Sequence, residues 1–207
     1  LMEHECKELL EKQGISTTGA SAARSSAEAV EISNRIGYPV VLKVLSPEVI
    51  HKSDAGGVKL NLKNAAEVER AFNEIETAFA DKKLAGVAVQ KMASPGLEAI
   101  IGVSRDPSFG SVLMFGLGGV FVEVLKDVSF RILPVTEADI DALIREIRGY
   151  TLLRGYRGTS VDLPALKELL LKISEMVMRY PEIREVDLNP VFLYTDGNVV
   201  VDARIFL

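Results

Sequence analysis

Residues 37–62 read GYPVVLKVLSPEVIHKSDAGGVKLNL, and this stretch indicates how the chain folds. It contains a short run of apolar and β-branched residues, Val40–Leu45, which is typical of a buried strand. Lys43 stands in the middle of that run. Because a buried ammonium group is unfavourable unless it is paired, three interpretations of Lys43 are open: a salt bridge, an exposed edge strand, or contact with an anionic ligand.

A loop follows the strand and contains His51, Gly56 and Gly57. Paired glycines allow backbone N–H groups to approach an anion closely, and Lys52 and Lys59 add positive charge nearby. An imidazole with its ordinary pKa of about 6.5 is a competent nucleophile toward phosphorus at neutral pH. The loop therefore predicts either a phosphate site with a reactive histidine or an ordinary polar turn with a solvated histidine.

The rest of the chain predicts an α+β fold, since helices and strands do not alternate regularly along it. Helices are expected from capping residues and apolar spacing over residues 2–13, 26–36, 64–80, 136–148 and 162–179. Strands are expected over residues 40–45, 58–62, 87–92, 97–103, 112–115 and 130–134, followed by a hairpin over 186–194 and 199–206. Residues 149–158 are polar and glycine-rich, which predicts a loop. We expect two lobes, residues 1–92 and 93–207.

The C-terminal hairpin brings oxygen-bearing side chains together. Asp187 and Asn189 are two residues apart on one strand, so both side chains point to the same face. Asp202 is expected on the returning strand, close to them. Carboxylate and amide oxygens in this arrangement suit Mg²⁺, with Glu185 as a reserve ligand on the same face. The alternative is a set of solvated acids at the end of a strand.

The composition excludes some classes of function. The chain has 207 residues, a net charge of −5 and a single cysteine, Cys6. The acidic balance argues against a general nucleic-acid or anionic-membrane binder, because there is no excess of basic residues to neutralise phosphates. No apolar run approaches the roughly 20 residues of a membrane span, and one cysteine fits a reducing cytoplasm. Because the sequence begins at Leu1, we expect a fragment or a trimmed terminus.

Five motifs, in the order in which they occur, carry a family resemblance. They are the opening Glu3…Lys7-Glu8-Leu9-Leu10…Gly14-Ile15, GYPVVLKVLSPEVIHKSDAGGVKLNL at 37–62, VQKMASPGLEAIIGVSRDPSFG at 89–110, FGLGGVFVEVLKDVSFRILPV at 115–135, and EVDLNPVFLY with VVDARI within 185–205. The most specific among them are HKSDAGGV at 51–58 and the pair DLNP at 187–190 and VDARI at 201–205. Together they resemble the ATP-grasp fold, in which a nucleotide lies between two lobes. More closely, the chain resembles the nucleotide-binding β subunit of ADP-forming acyl-CoA (acetyl-CoA) synthetases, relatives of the succinyl-CoA synthetase β subunit. The resemblance covers essentially the whole sequence.

The resemblance implies a role for each matching position. The implied nucleotide-binding residues are Lys43, Gln90, Lys91, Met92 and Glu98, and the implied Mg²⁺ ligands are Asp187, Asn189 and Asp202. Lys43 would hold the phosphates, the backbone of residues 90–92 would contact the adenine edge, and Glu98 would accept hydrogen bonds from the ribose. His51 would be a swinging carrier, which takes phosphate from a phosphohistidine on a partner α subunit and delivers it to ADP.

The resemblance and the sequence suggest less specific roles for some other residues. The glycine-rich stretch would let a loop close over the phosphates through Gly116, Gly118 and Gly119, and Arg131 would approach those phosphates. The loop residues Tyr150, Arg154, Tyr156 and Arg157 could reach an anion or simply lie at the surface, and no firm role is assigned to them.

The implied function is that of a subunit of an acid-thiol ligase, which uses ATP or ADP with Mg²⁺ in the reaction acyl-CoA + ADP + phosphate ⇌ acid + CoA + ATP. Nothing in the sequence resembles a CoA-binding fold, so a partner α subunit or fused domain is expected, in a hetero-oligomer. Two alternatives stay open. One is a catalytically silent regulatory domain cut from a longer acyl-CoA synthetase-like or acetyltransferase fusion protein, and the other is a nucleotide-binding module without a histidine relay.

Overall fold

The computed structural model describes residues 1–46, 48–49, 55–119, 122, 124–155 and 160–207. The chain divides into two compact units. The N-terminal unit contains residues 2–8 and 18–94, and the C-terminal unit contains residue 1 together with residues 9–17 and 95–207. The first helix, α1 (Glu3–Lys12), contributes residues to both units. The lobes expected at 1–92 and 93–207 stay a prediction; in the structure, residues 9–17 group with the C-terminal unit.

The N-terminal unit is built on a four-stranded antiparallel sheet in the order β1-β4-β2-β3. Its strands are β1 (Ser21–Ala23), β2 (Val40–Leu45), β3 (Val58–Leu62) and β4 (Gly86–Lys91). Two helices, α2 (Ser26–Ile36) and α3 (Ala65–Ala78), add apolar residues to one core with Val40, Leu42 and Val44 of β2. Because side chains alternate along a strand, Val41 and Lys43 point to the opposite face of the sheet.

Capping residues set the starts of these two helices, as the sequence predicts. The Ser25 side chain accepts a hydrogen bond from the Glu28 N–H at the start of α2, and Asn64 accepts one from the Glu67 N–H at the start of α3. Such caps satisfy N–H groups that have no partner within the helix. The two helices therefore begin where the sequence signals place them.

The C-terminal unit is built on a six-stranded antiparallel sheet in the order β10-β8-β5-β6-β7, in which β9 also pairs with β8. Its strands are β5 (Leu97–Asp106), β6 (Gly110–Leu117), β7 (Val128–Ile132), β8 (Glu185–Tyr194), β9 (Gly197–Val200) and β10 (Ala203–Phe206). Every second residue of β5 from Ala99 to Val103 is buried, while the alternate residues are more exposed. This alternation is typical of an antiparallel sheet with one covered face.

The described residues of this unit form three further helices: α4 (Glu137–Glu146), α5 (Tyr150–Leu153) and α6 (Leu163–Arg179). A capping box between Thr136 and Asp139 starts α4, and the Asp162 side chain caps α6. Residues Leu166, Leu170, Ile173 and Val177 of α6 are buried at helical spacing. Within the described part of the chain, no helix combines the length and the apolar character needed to cross a membrane.

Most predicted elements are confirmed, and three details differ. The short strand β1 was not predicted, because three small residues, Ser21–Ala23, carry little strand signal. The short helix α5 lies inside the stretch predicted as a loop. The second strand of the hairpin is interrupted at residues 201–202, so Asp202 lies between β9 and β10 instead of within a strand.

The close approach of β1 to the start of β4 gives a test of this fold. Gly86 has a φ of +119°, and a Cβ added there would lie 2.2 Å from the Ala23 carbonyl oxygen. We expect Gly86→Ala to lower the free energy of unfolding by about 3 kcal/mol, since strain and a backbone clash combine. Urea unfolding monitored by circular dichroism measures the loss.

Gly56→Ala is the matched control. Gly56 also has a positive φ, +75°, but a Cβ added there would meet no atom of the described residues within 4 Å. It should lose only about 1 kcal/mol, the cost of a left-handed backbone for an L residue. Equal losses in the two variants would contradict the close packing of β1 on β4.

Candidate functional site

Lys43 forms an ion pair inside the N-terminal unit. Its Nζ donates to Oε1 of Glu3 at 2.7 Å, and the two side chains are 7% and 0% exposed. The interpretation of Lys43 as part of an exposed edge strand is wrong, because β2 lies between β4 and β3. The salt-bridge interpretation is confirmed, and contact with an anionic ligand stays a prediction. The partner, Glu3, was not identified from the sequence.

A second lysine shares the Glu3 carboxylate. Lys7 lies one helical turn after Glu3 on α1, and its Nζ is 3.2 Å from the same Oε1 atom. Lys7 also donates to Oε1 of Gln90 at 2.6 Å and to Oγ1 of Thr18 at 2.8 Å. The i, i+4 spacing of Glu3 and Lys7 is a sequence signal for helix pairing, but it does not reveal that the pair is buried against β2 and β4.

The residues expected at the adenine edge lie at the end of β4. Gln90 pairs with Val41 in the sheet and is buried, whereas Lys91 is exposed and its Nζ donates to the carbonyl oxygens of Gly37 and Tyr38 at 2.9 and 2.8 Å. The Met92 N–H donates to the Pro39 carbonyl oxygen at 3.1 Å. These contacts fix the backbone of residues 90–92 against the segment that enters β2.

In the C-terminal unit, Glu98 lies directly against the glycine-rich stretch. The Gly118 N–H donates to the Glu98 carbonyl oxygen at 2.8 Å. A Cβ at Gly118 would lie 3.0 Å from the Glu98 Cβ, and one at Gly119 would lie 3.7 Å from Glu98 Oε2. Glycine at 118 therefore permits a close approach that a side chain would obstruct. A role was predicted for each of the two segments, but their contact was not predicted.

A β-bulge shapes the place where the predicted metal ligands meet. Ala99 of β5 pairs with Val191 and Ile101 pairs with Leu188, so two residues of β8, Asn189 and Pro190, oppose one residue of β5. The Asn189 N–H donates to the Asp202 carbonyl oxygen at 3.3 Å. The bulge and the break between β9 and β10 thus lie side by side, and they bring residues 187–189 close to Asp202.

Asp187 stands in an environment suited to a cation. Burial raises the pKa of the Asp187 carboxyl above its ordinary value; the Arg204 guanidinium opposes this shift, and the Asp202 and Glu185 carboxylates add to it. A half-buried carboxylate facing further negative charges gains when a cation binds. The described residues contain no group of three or more His, Cys, Asp or Glu side chains placed to hold a metal. The predicted site instead combines two carboxylates with the amide of Asn189, a set of hard oxygen donors that fits Mg²⁺.

The open face of the six-stranded sheet carries both kinds of predicted residue. Asp187 pairs with Gly102 of β5, so the two residues point to the same face. Glu98 lies four residues before Gly102 on the same strand and shares that face by alternation. The C-terminal unit therefore presents the predicted ribose acceptor and the predicted metal ligand on one surface.

The remaining predicted residues are either not described or engaged elsewhere. His51 lies outside the described residues, as do Tyr156 and Arg157. The Arg131 guanidinium donates to both carboxylate oxygens of Glu146, at 2.8 and 2.6 Å, which raises the pKa of Arg131. In this structure Arg131 is thus engaged by a neighbouring side chain on α4.

Comparison with known proteins places these features in a family. The family model described as the ATP-grasp domain matches residues 1–207. The β subunit of acetate–CoA ligase [ADP-forming] I from Pyrococcus furiosus is 48% identical over 212 residues, which cover 100% of this chain and 91% of that protein. Acetate–CoA ligase [ADP-forming] II from Archaeoglobus fulgidus is 51% identical over 205 residues, which cover 99% of this chain but only 30% of that protein.

A solved structure shows a close structural match. It is the dinucleotide-forming acetyl-coenzyme A synthetase 1 of Ca. Korarchaeum cryptofilum in complex with coenzyme A and Mg-AMPPCP, with its phosphohistidine segment pointing towards the nucleotide binding site. The TM-score is 0.89 at 48% sequence identity, and the match covers 100% of this chain and 92% of that one.

The raised pKa of Asp187 predicts a pH-dependent stability. Because the folded state holds this proton more tightly than the unfolded chain does, stability falls as the pH rises from the ordinary aspartate pKa of about 3.9 through the raised value. We expect Asp187→Asn to raise the melting temperature of the metal-free protein at pH 7. Near pH 3 the difference should disappear, since the carboxyl is protonated in both states.

Asp81→Asn provides the control, because the Asp81 side chain is 73% exposed and pairs with its neighbour Lys82. This variant should change the free energy of unfolding by less than about 0.5 kcal/mol at either pH. Scanning calorimetry at the two pH values measures both variants. A lower melting temperature for Asp187→Asn at pH 7 would contradict the assigned environment of Asp187.

Proposed function

The chain belongs to the ATP-grasp domain family, together with the β subunits of ADP-forming acetyl-CoA synthetases, and from this membership we propose the role of its individual residues. The domain is the nucleotide-binding part of an acid-thiol ligase, with ATP or ADP and Mg²⁺ as its cofactors. We infer that it transfers phosphate between His51 and the nucleotide. The observation that carries this proposal is the placement of Glu98 and Asp187 on the open face of one sheet.

The positioning of the nucleotide is proposed as follows. The Lys43 ammonium attracts the phosphate oxygens, the backbone of residues 90–92 contacts the adenine edge, and Glu98 accepts hydrogen bonds from the ribose hydroxyls. Phosphoryl transfer asks a protein mainly for positioning and for stabilisation of charge. In this proposal, the Lys43 ammonium stabilises the charge and the Glu98 carboxylate positions the ribose.

The proposed Mg²⁺ ligands are Asp187, Asn189 and Asp202. Mg²⁺, when bound, neutralises charge on the phosphate oxygens. The half-buried Asp187 carboxylate supports this assignment, because its raised pKa reflects burial and the nearby Asp202 and Glu185 carboxylates. The amide oxygen of Asn189 adds a neutral donor, and Glu185 is the reserve ligand.

His51 is proposed as the phosphate carrier. In the direction of ATP formation, an oxygen of the terminal phosphate of ADP attacks phosphorus, the P–N bond of phosphohistidine breaks, and the imidazole leaves with its electron pair and is protonated. The motif HKSDAGG at 51–57 supports this role, and so does the phosphohistidine segment of the Ca. Korarchaeum cryptofilum relative, which points towards its nucleotide binding site.

The partner is proposed from the lengths of the relatives. The chain spans nearly the whole of the Pyrococcus furiosus β subunit but about a third of the Archaeoglobus fulgidus ligase. We therefore propose that a CoA-binding α subunit or fused domain completes the enzyme and carries the first phosphohistidine. A hetero-oligomer and a cytoplasmic location belong to the same proposal.

Phosphate labelling tests the relay. With γ-phosphate-labelled ATP and Mg²⁺, the chain should acquire a protein-bound phosphate that is acid-labile and base-stable, and His51→Asn should abolish it. His4→Asn is the matched control, because His4 and His51 are the only histidines of the sequence. Label that persists in His51→Asn, or that disappears in His4→Asn, would contradict the assignment. No label in the presence of the partner, despite nucleotide binding, would favour a module without a relay.

Titration calorimetry tests the metal ligands. We expect Mg²⁺ to strengthen ADP binding by the wild-type chain, and Asp187→Ala to weaken Mg-ADP binding more than about tenfold, since even supporting residues of metal ligands contribute about 10–100-fold. Asp81→Asn again serves as the surface control and should bind like wild type. Equal ADP affinity with and without Mg²⁺ in the wild-type chain would overturn the assignment.

A further inference from the structure

A buried aspartate in the C-terminal unit connects the start of β7 to the segment between α4 and α5. Asp127 is 6% exposed and directly precedes β7. Its Oδ1 accepts a hydrogen bond from the Arg148 N–H, and its Oδ2 accepts one from the Gly149 N–H, both at 2.7 Å. Because Gly149 is buried, its N–H group would be destabilising without an acceptor. The Asp127 carboxylate therefore fixes residues 148–149 relative to β7.

Asp127 and the segment that it holds both pack closely on the end of β6. A Cβ added at Gly116 would lie 2.6 Å from the Asp127 carbonyl oxygen, and one added at Gly149 would lie 2.4 Å from Leu117 Cδ1. Neither distance is possible for a real Cβ unless the neighbouring atoms move, so glycine permits both contacts. Residues 116–117 thus contact Asp127 and also the residue whose N–H group Asp127 accepts.

The end of β6 in turn contacts Glu98. Leu117 pairs with Ala99 of β5, and the Gly118 N–H donates to the Glu98 carbonyl oxygen at 2.8 Å. Gly118 also approaches the Glu98 side chain so closely that an added Cβ would lie 3.0 Å from the Glu98 Cβ. A displacement of residues 117–118 would therefore move Glu98 with them.

We propose that Asp127 and Gly118 are positioning residues for Glu98, the proposed acceptor of the ribose hydroxyls, an inference that rests on the proposed function. Asp127 fixes the end of β6, and Gly118 transmits that position to Glu98 through the hydrogen bond and the close contact. Neither Asp127 nor Gly118 needs to touch the nucleotide for this effect.

The position of the Glu98 carboxylate matters because hydrogen bonds weaken steeply when their geometry is distorted. Glu98 is exposed, and an exposed glutamate side chain without close neighbours has several accessible rotamers. The contact with Gly118 restricts this freedom before the nucleotide binds. A carboxylate that is already in place binds the ribose hydroxyls more tightly than one that must first be ordered.

Two nucleotides isolate the ribose contact in titration calorimetry of the full chain: Mg-ADP, and Mg-2′,3′-dideoxy-ADP, which lacks both ribose hydroxyls. The wild-type chain should bind Mg-ADP about tenfold more tightly, and Glu98→Ala should remove this preference. Asp127→Asn should reduce it to about threefold or less, because asparagine offers one acceptor oxygen for two N–H groups. Affinity of Asp127→Asn for the dideoxy nucleotide should stay within about twofold of wild type, since that nucleotide does not use Glu98.

A second variant and a matched control accompany Asp127→Asn. Gly118→Ala forces Glu98 to shift by a few tenths of an ångström, so the preference for Mg-ADP should fall in this variant as well. Asp106→Asn is the control. Asp106 Oδ1 also accepts from two backbone N–H groups, those of Ser108 and Phe109, at 2.7 and 3.0 Å. Because it lies at the opposite end of β5 from Glu98, the preference should equal that of wild type.

The preference for Mg-ADP separates a positioning role from a merely structural one. If Asp127→Asn weakens the binding of both nucleotides equally, or retains the tenfold preference, the positioning role is overturned, because a general distortion of the site does not depend on the ribose hydroxyls. In the Glu98→Ala background, Asp127→Asn should change Mg-ADP affinity by less than about twofold, since Asp127 acts through Glu98. A larger additional loss would also overturn the role.

Failure of the proposed function gives a different result. A wild-type chain without the preference, or an unchanged preference in Glu98→Ala, would refute the ribose role of Glu98 and the positioning role with it. Loss of the preference in Glu98→Ala but not in Asp127→Asn would overturn only the positioning role. If Asp127→Asn does not fold, Gly118→Ala decides alone: a preference of about threefold or less supports the positioning role, and a preference of about tenfold overturns it.

Discussion

The burial of a lysine in a central strand is the constraint on which the N-terminal unit depends. Lys43 can occupy β2 because Glu3 supplies a buried carboxylate at 2.7 Å, and an ammonium group without such a partner would be strongly destabilising. The carboxylate comes from the first turn of α1. Residues 2–8, which include this turn, belong to the same unit as the four-stranded sheet.

Local signals predicted most of the fold. The apolar run Val40–Leu45 and the caps at Ser25, Asn64 and Thr136 each depend on residues close in sequence, and the structure contains them all. The features that were missed depend on tertiary contacts. Strand β1 forms because Ser21–Ala23 pairs with β4. Three small residues carry no sequence pattern that predicts such pairing.

The candidate site also contains features that the sequence predicts and features that it does not predict. The spacing of Asp187 and Asn189 predicted that their side chains share a face. Their proximity to Asp202 follows from a hairpin whose turn residues can be recognised in the sequence. The bulge opposite β5 and the contact of Glu98 with Gly118 could not be predicted, because both depend on how distant strands align. The contact of Glu3 with Lys7 was missed for a related reason. Its i, i+4 spacing is common on exposed helices, and the sequence does not show that this pair is buried against the sheet.

Each unit holds a charged side chain in surroundings that disfavour its charge. In the N-terminal unit, the Lys43 ammonium is buried and pairs with the Glu3 carboxylate, which also contacts the Lys7 ammonium. In the C-terminal unit, folding places Asp187 where burial and the Asp202 and Glu185 carboxylates disfavour its ionised form. Under the proposed function, a cation bound at Asp187 would offset the surrounding carboxylates, and a phosphate would contact the Lys43 ammonium. The burial that makes each charged group unfavourable in the free protein would thus also make it responsive to a ligand of opposite charge.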